Sequence, residues 1–272
     1  MKNNKDLNAW LAGLIEGDGC IVTPKTRRTL KNPHIQISFN KKDERLALKI
    51  IAMLGSGVWS IDQNTLRLTW NKKADIINLI ERINGNMRTP KILRLHKLID
   101  WYNEEGDFKI MKKELDMSPI GSNSWLSGMS DADSNFNLIV TNRGGSYRVQ
   151  RQWRLENSTQ HGSEQWAKLV SAFIKSNLLS RHRMSELTGD LEAEKKLYSS
   201  WIIVAHSAES IKIIEEYFKT YPLYSSKYLD FKDWEKCGEI VGKNKENYEK
   251  VLLIKSGINK KRTSFNWDHL NQ

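Results

Sequence analysis

Two aspartates, Asp18 and Asp133, stand 115 residues apart, and each closes a short segment that opens on tryptophan and runs through small and apolar residues. The first is Trp10-Leu11-Ala12-Gly13-Leu14-Ile15-Glu16-Gly17-Asp18-Gly19. The second is Trp125-Leu126-Ser127-Gly128-Met129-Ser130-Asp131-Ala132-Asp133-Ser134. One such acid at a helix end would be an ordinary solvated group. Two, delivered by two copies of one segment, can do chemistry. If the segments are helices packed in parallel, the carboxylates meet at helix C-termini, where the peptide dipoles disfavour negative charge and the two acids repel each other. Divalent cations relieve that arrangement. A hard cation takes carboxylate oxygens, and between carboxylates and phosphate it activates water and neutralises the leaving oxygen of phosphodiester hydrolysis.

The small residues say how the helices meet. Gly13 and Gly17, like Gly128 and Ala132, are four apart and share one helix face. Small residues allow close backbone approach. Glycine inside a helix costs about 0.5–1 kcal/mol relative to alanine, and contact between the two copies is the natural compensation. Leu11, Leu14, Ile15, Leu126 and Met129 are then left for each half's own core. Glu16 and Asp131 lie two residues before the aspartates, point elsewhere on the helix and read as structural.

The same elements follow each copy. After the first come strands at residues 20–23 and 34–39, a helix at 43–54 ending on Gly55, strands at 58–62 and 65–71, and helices at 72–83 and 90–103. After the second come strands at 136–142 and 147–156, a helix at 163–177, strands at 181–188 and 196–205, and helices at 208–220 and 225–241. The expected division is a first repeat at 1–103, a polar linker at 104–122, a second repeat at 123–242, and a basic helix with a polar tail at 243–272.

Bulk composition agrees with a nucleic-acid partner. The 272 residues are 39% hydrophobic, enough for a core, and carry 43 Lys+Arg against 32 Asp+Glu, a net charge of +11. That excess favours a polyanion, nucleic acid ahead of an anionic membrane surface. No run of 18 apolar residues could span a bilayer, and residues 1–7 resemble neither a secretory signal nor a transit peptide. Cys20 and Cys237 form no CxxC pair, and the six histidines show no zinc spacing, so any metal should be a hard cation on carboxylates.

The segments LAGLIEGDG (residues 11–19) and LSGMSDADS (residues 126–134) resemble the paired signature of the LAGLIDADG homing endonuclease family, and the likeness extends over residues 7–241. The resemblance implies an α/β (α+β) protein of two pseudo-symmetric αββαββα repeats. Their motif helices pair centrally and two saddle-shaped antiparallel sheets carry the DNA. It implies a monomeric, intron-encoded enzyme that cuts both strands of a long, asymmetric double-stranded DNA target across the minor groove. Mg2+ is the implied cofactor, with Mn2+ or Ca2+ able to substitute for binding. Asp18 and Asp133 match the family's catalytic, metal-binding acids. Lys91, in Thr89-Pro90-Lys91-Ile92, and Lys227, in Ser226-Lys227-Tyr228, match a lysine kept near the metals, which could polarise water or neutralise developing phosphate charge. Asn40 and Asn157 match positions that order active-site water. The second motif departs from the pattern: Ser130 replaces an apolar residue, and Ser134 is expected to cover a turn that glycine fits more easily.

Target recognition falls to the strands. Lys25, Arg27, Arg28, Gln36, Ser38, Arg67 and Thr69 mark the first sheet. Asn137, Thr141, Arg143, Arg148, Gln150, Gln152, Arg154, Arg181, Arg183 and Ser199 mark the second. Many recur at period two, which places them on one sheet face. Arginine reads guanine and Gln or Asn reads adenine in the major groove, while lysines mainly hold phosphates. The halves differ, so a monomer should read an asymmetric site. Two further readings stay open. One is an intron RNA maturase, which the basic stretch 243–262 would suit. The other is a DNA-binding module without catalysis, against which the retention of both aspartates argues. The Lys-, Asn- and Ile-rich composition fits an AT-rich organelle gene, and with the resemblance it points to the mitochondrion.

Overall fold

In the computed structural model the described residues are 4–26, 32–106, 109–159, 164–184, 197–240 and 244–271. The first half runs α1 (Asn4–Asp18), β1 (Gly19–Val22), β2 (His34–Asn40), α2 (Glu44–Leu54), β3 (Val58–Asp62), β4 (Thr65–Trp70), α3 (Lys73–Ile83) and α4 (Ile92–Asn103). The second runs α5 (Trp125–Asp133), β5 (Ser134–Arg143), β6 (Ser146–Ser158), α6 (Glu164–Phe173), β7 (Leu178–Met184), β8 (Leu197–Ala205), α7 (Ala208–Thr220) and α8 (Lys227–Glu239), and α9 (Lys245–Ser256) follows. Each half contributes a four-stranded antiparallel sheet, β1-β2-β4-β3 and β5-β6-β8-β7. The expected α+β architecture of two repeats is the architecture found.

Strand alternation builds the two faces. In β2 and β4, Ile35, Ile37, Phe39, Leu66, Leu68 and Trp70 are buried, and the residues between them face away from the core. Full burial of one such side chain is worth about 1.5–3 kcal/mol, so a one-residue slip, which would turn this set to solvent, is excluded. In the second half Phe136, Leu138, Trp153 and Leu155 set the same phase. Helix α6 ends at Phe173, earlier than the expected 177, because Lys175 turns into the left-handed region (φ 54°) and β7 already begins at Leu178.

The linker is irregular yet tied down. Asn103 Nδ2 donates to Ile110 O (2.9 Å) and its Oδ1 accepts from Ile110 N (2.8 Å). Asn84 does the same for Met111 O (2.8 Å) and Lys113 N (3.0 Å). These side-chain amides satisfy the backbone of a segment that, among the described residues, belongs to neither sheet. Arg88 closes the segment with an ion pair to Asp116 (2.7 Å). Beyond α8, α9 lies against β5, β6 and α8. The following residues turn back over α8, and Tyr228, His269 and Trp267 stack in series. Among the described residues no helix is long and apolar enough to cross a membrane.

Candidate active site

Helices α1 and α5 touch backbone to backbone. A β-carbon at Gly13 would lie 2.1 Å from Trp125 O, and one at Gly128 would lie 1.8 Å from Trp10 O. One at Gly17 would lie 2.2 Å from the β-carbon of Ala132. The small-residue stripe is therefore the contact itself. Met129 belongs to this contact rather than only to its own half's core: its backbone nitrogen packs on Gly13 and its sulfur lies beside Gly17.

Close packing carries Asp18 and Asp133 to one cavity of about 750 Å3. Asp18 opens to solvent there, yet the close protein walls, and then the charge of Asp133, push its carboxyl up to about 6. Burial likewise raises Asp133, against the pull of Lys227 and Lys91. Asn157 Nδ2 donates to Asp133 Oδ2 (3.0 Å).

Both lysines sit under the helix ends. Lys91 Nζ donates to Ile15 O (3.1 Å), Gly17 O (3.2 Å) and Gly19 O (2.9 Å). Lys227 Nζ donates to Ser130 O (3.1 Å) and Ala132 O (2.5 Å). A cation on the last carbonyls offsets the helix dipole, which is what makes a carboxylate tolerable at that end. All three protons of Lys91 are engaged, so Lys91 brings charge to the site rather than a free N–H. Burial lowers both ammonium groups; Glu16 and Asp133 oppose this at Lys91, and Asp18 and Asp133 oppose it at Lys227.

Glu16 and Asp131 position those lysines. Buried Glu16 accepts from Arg88 N (3.0 Å), Thr89 N (2.5 Å) and Thr89 Oγ1 (2.6 Å), and from Trp125 Nε1 of the other half (2.6 Å). Asp131 accepts from Tyr224 N (2.9 Å), Ser225 N (2.9 Å) and Ser225 Oγ (2.6 Å), and from Trp10 Nε1 (2.8 Å). Each acid thus grips the turn two residues before its own half's lysine and the tryptophan that opens the other half's motif. The repeated tryptophan-to-acid spacing was the visible signal for this clamp, and the sequence reading assigned it no partners. Asp43 adds a third crossing: its Oδ1 accepts from Ser226 N (2.6 Å), tying the start of α2 to the start of α8.

Comparison with known proteins agrees with this arrangement. The LAGLIDADG endonuclease profile matches residues 11–102 and 126–238. The chain belongs to the LAGLIDADG endonuclease family. It is 32% identical to the intron-encoded DNA endonuclease aI3 of Saccharomyces cerevisiae, over 99% of this chain and 74% of that protein. It is 29% identical to the intron-encoded RNA maturase bI4 of the same yeast, over 52% of this chain and 21% of that one. The crystal structure of the LAGLIDADG homing endonuclease I-GzeII in complex with its DNA target shares the fold, with a TM-score of 0.70 over 94% of this chain and 99% of that chain at 17% identity.

Two details of the LAGLIDADG motifs differ from expectation. Ser134 is extended (φ −93°), so no left-handed turn falls to it, and its hydroxyl donates to Ser130 O (2.8 Å). At Gly19 a β-carbon would meet Ile15 O at 2.5 Å; glycine is required in the first copy only. Asn40 and Asn157 are not counterparts. Gly19 pairs with Ile37 and Ser134 with Leu155, so the register equates Asn157 with Phe39 and Asn40 with Ser158. Asn157 touches a catalytic-position aspartate, whereas Asn40 lines the same cavity and caps Lys42 N (3.1 Å).

Pairing register gathers most of the strand candidates onto two outward faces. Gln36 lies opposite Thr69, and Ser38 opposite Arg67. Asn137 lies opposite Gln152, Thr141 opposite Arg148, and Gln150 opposite Ile139; Arg143 and Arg154 share this face. Arg181 and Arg183 join it through Ser200 and Tyr198. Ser199 does not: it pairs with His182 on the other face, and Ser200 takes the outward place. Lys25 is exposed beyond β1, while Arg27 and Arg28 lie outside the described residues. The reading also missed Glu156, which accepts from Arg154 (2.5 Å), Arg183 (3.3 Å) and Ser200 (2.6 Å), and so spaces the arginines of this face.

Proposed function

We propose that this protein is a monomeric homing endonuclease that binds a long, asymmetric DNA duplex across its two sheets and hydrolyses both strands over the minor groove. The observation that carries the reading is the delivery of Asp18 and Asp133, by two backbone-packed helices, to one cavity flanked by the outward sheet faces. A divalent cation fits this site. Two carboxylates crowd at helix ends, and among the described residues no group of three or more His, Cys, Asp or Glu forms a protein-only cage. Mg2+ is held by one or two carboxylates completed by phosphate oxygens and water, the donor set available once DNA is bound. Asp18 and Asp133 would hold the cation, which supplies water activation and charge neutralisation at the phosphate. Lys91 and Lys227 favour the ionised form of the two acids and hold them in place through the helix ends, Asn157 orients Asp133, and Asn40 orders water at the cavity wall. The strand arginines and glutamines read bases in the major groove. The mitochondrion is the inferred location, from composition and from the intron-encoded relatives.

Incubation with DNA of the intronless allele, with and without Mg2+, tests this. A double-strand break is expected from wild type only with the metal. Absence of a break, or unchanged cutting by Asp18→Asn and Asp133→Asn, would sink the reading. The likeness to the bI4 maturase favours splicing assistance as the second reading. It would take over if intron RNA is bound and spliced while DNA stays intact.

A further inference from the structure

The same cavity has a third wall that the repeats do not account for. Lys255, Ile258, Asn259, Lys260 and Lys261, beyond the second repeat, line it together with Asp18 and Asp133. The turn that carries them is built rather than draped. Ile258 is buried. Asn259 adopts the left-handed region (φ 57°), which asparagine tolerates better than other side-chain-bearing residues. Bonds at both ends hold it there: Asn259 N donates to Asp230 Oδ1 (3.0 Å) and Asn259 Nδ2 to Phe136 O (2.7 Å). On the far side Arg262 pairs with the same Asp230 (2.7 Å) and with Asp233 (2.5 Å). Lys260 and Lys261 are thus bracketed by two anchors, and both are exposed.

The charges of this stretch differ from those of the helix before it. On α9, Lys245 and Lys250 pair with Glu249 and Glu246. Among the described residues, no ion pair engages Lys255, Lys260 or Lys261. Three lysines that enter no ion pair among the described residues, carried by an anchored turn that lines the same cavity as Asp18 and Asp133, suit phosphate by their chemistry. The arrangement is one-sided. The segment that follows α4 in the first half occupies the corresponding place in the repeat, and it runs instead along Asn84, Arg88 and Asn103.

We propose that Lys260 and Lys261, supported by Lys255, grip the sugar-phosphate backbone of one DNA strand beside its scissile bond, so that the two strands meet unequal active sites and are cut at unequal rates. This rests on the endonuclease reading, and the test separates the two. The variant is Lys260→Ala/Lys261→Ala, with retention of the wild-type melting temperature as the check on folding. Binding to target duplex is measured against salt without Mg2+. Two lost phosphate contacts should flatten the slope of log K against log salt by about 1.8. Methylphosphonates placed beside the cut should weaken wild-type binding when they are on one strand only, and should leave the variant indifferent. With Mg2+ and strand-specific end labels, the variant should cut that strand at least about fivefold more slowly and the other within about twofold, with nicked DNA accumulating. Lys260→Arg/Lys261→Arg should restore both slope and rate. An unchanged salt slope, or equal sensitivity of both strands, overturns the proposal. If wild type cuts neither strand, the endonuclease reading fails, while the salt slope and the methylphosphonates still decide whether the wall holds phosphate.

Discussion

Replacing Glu16 with Gln is a single-atom change at the crossing of the two halves, and its effect can be worked from the bonds. One carboxylate oxygen accepts from Thr89 N, Thr89 Oγ1 and Arg88 N; the other accepts from Trp125 Nε1 and shares Arg88 N. An amide keeps one acceptor. Turned to satisfy Thr89, it points its NH2 group at the indole N–H of Trp125, two donors face to face in a buried site. An orphaned buried donor costs about 1–3 kcal/mol, so Glu16→Gln should destabilise the protein by about 2–3 kcal/mol. Trp125→Phe removes the opposing donor, and its own cost is the lost packing of a fully buried ring. The double variant should therefore be more stable than the sum of the single effects by about 1–3 kcal/mol. Urea unfolding of the four proteins measures that coupling. Additivity within about 0.5 kcal/mol, the behaviour of independent sites, would refute the clamp. Because the Glu16 turn leads to Lys91, Glu16→Gln should also slow DNA cleavage more than it weakens DNA binding, and a purely structural loss would lower both by the same fraction of folded protein.

Other consequences are equally direct. Asp18 is raised to about 6 from an ordinary 3.8, so between those values the folded state binds more protons than the unfolded one and metal-free stability falls as pH rises. Asp18→Asn should be more stable than wild type above pH 6 and equal to it below about pH 4; urea melts at both ends, with chelator, would show the same gap at both if the reasoning is wrong. Lys91→Met strips two carbonyls of the α1 end and Gly19 O of their cation and should cost about 2 kcal/mol. Cleavage should drop at least about 100-fold, while a stable variant with full activity would contradict the role given to that charge. Glu156→Gln releases Arg154, Arg181 and Arg183 from one carboxylate. Affinity for non-target DNA should rise at low salt while discrimination against single base-pair changes, ordinarily about 1–3 kcal/mol each, shrinks, as read by competition binding.

The sequence made the repeat, the paired helices and the two aspartates legible because each is a local pattern repeated: Gly13-to-Gly17 and Gly128-to-Ala132 spacing, a terminal acid, and strands phased by Ile35, Ile37 and Phe39. Where phase markers vanish, the reading failed. In β8 the run Leu197-Tyr198-Ser199-Ser200 is flanked by apolar residues on both phases, Leu197 and Trp201 on one and Tyr198 and Ile202 on the other, so alternation does not say which serine faces out, and only the pairing does. Asn40 and Asn157 look like partners by position, but only the pairing of Gly19 with Ile37 and of Ser134 with Leu155 reveals that they differ by one residue in phase. Glu16 and Asp131 read as structural from their place on the helix. Their actual partners lie up to 121 residues away, a separation no local pattern reports.

The two halves stay alike where they touch each other and part where they touch other things, and the physics of each surface explains why. A clamp such as Glu16 to Trp125 and Asp131 to Trp10 joins each acid to the opposite copy's indole. A change in either copy therefore leaves a buried donor or acceptor unsatisfied across the interface, at a cost that few folds of marginal stability could absorb. The outward faces carry no such constraint. Gln36 and Arg67 stand partly exposed and Arg148 exposed, and exchanging any one of them orphans nothing inside. Symmetry is accordingly kept along α1 and α5, at Lys91 and Lys227, and at the two aspartates. It is lost on the sheets, and lost again at the cavity that Asp18 and Asp133 share, where the segment carrying Lys260 and Lys261 lines one side. Equal acids in unequal surroundings are the arrangement that an asymmetric duplex requires: the same hydrolysis twice, on two strands that do not present the same sequence to the protein.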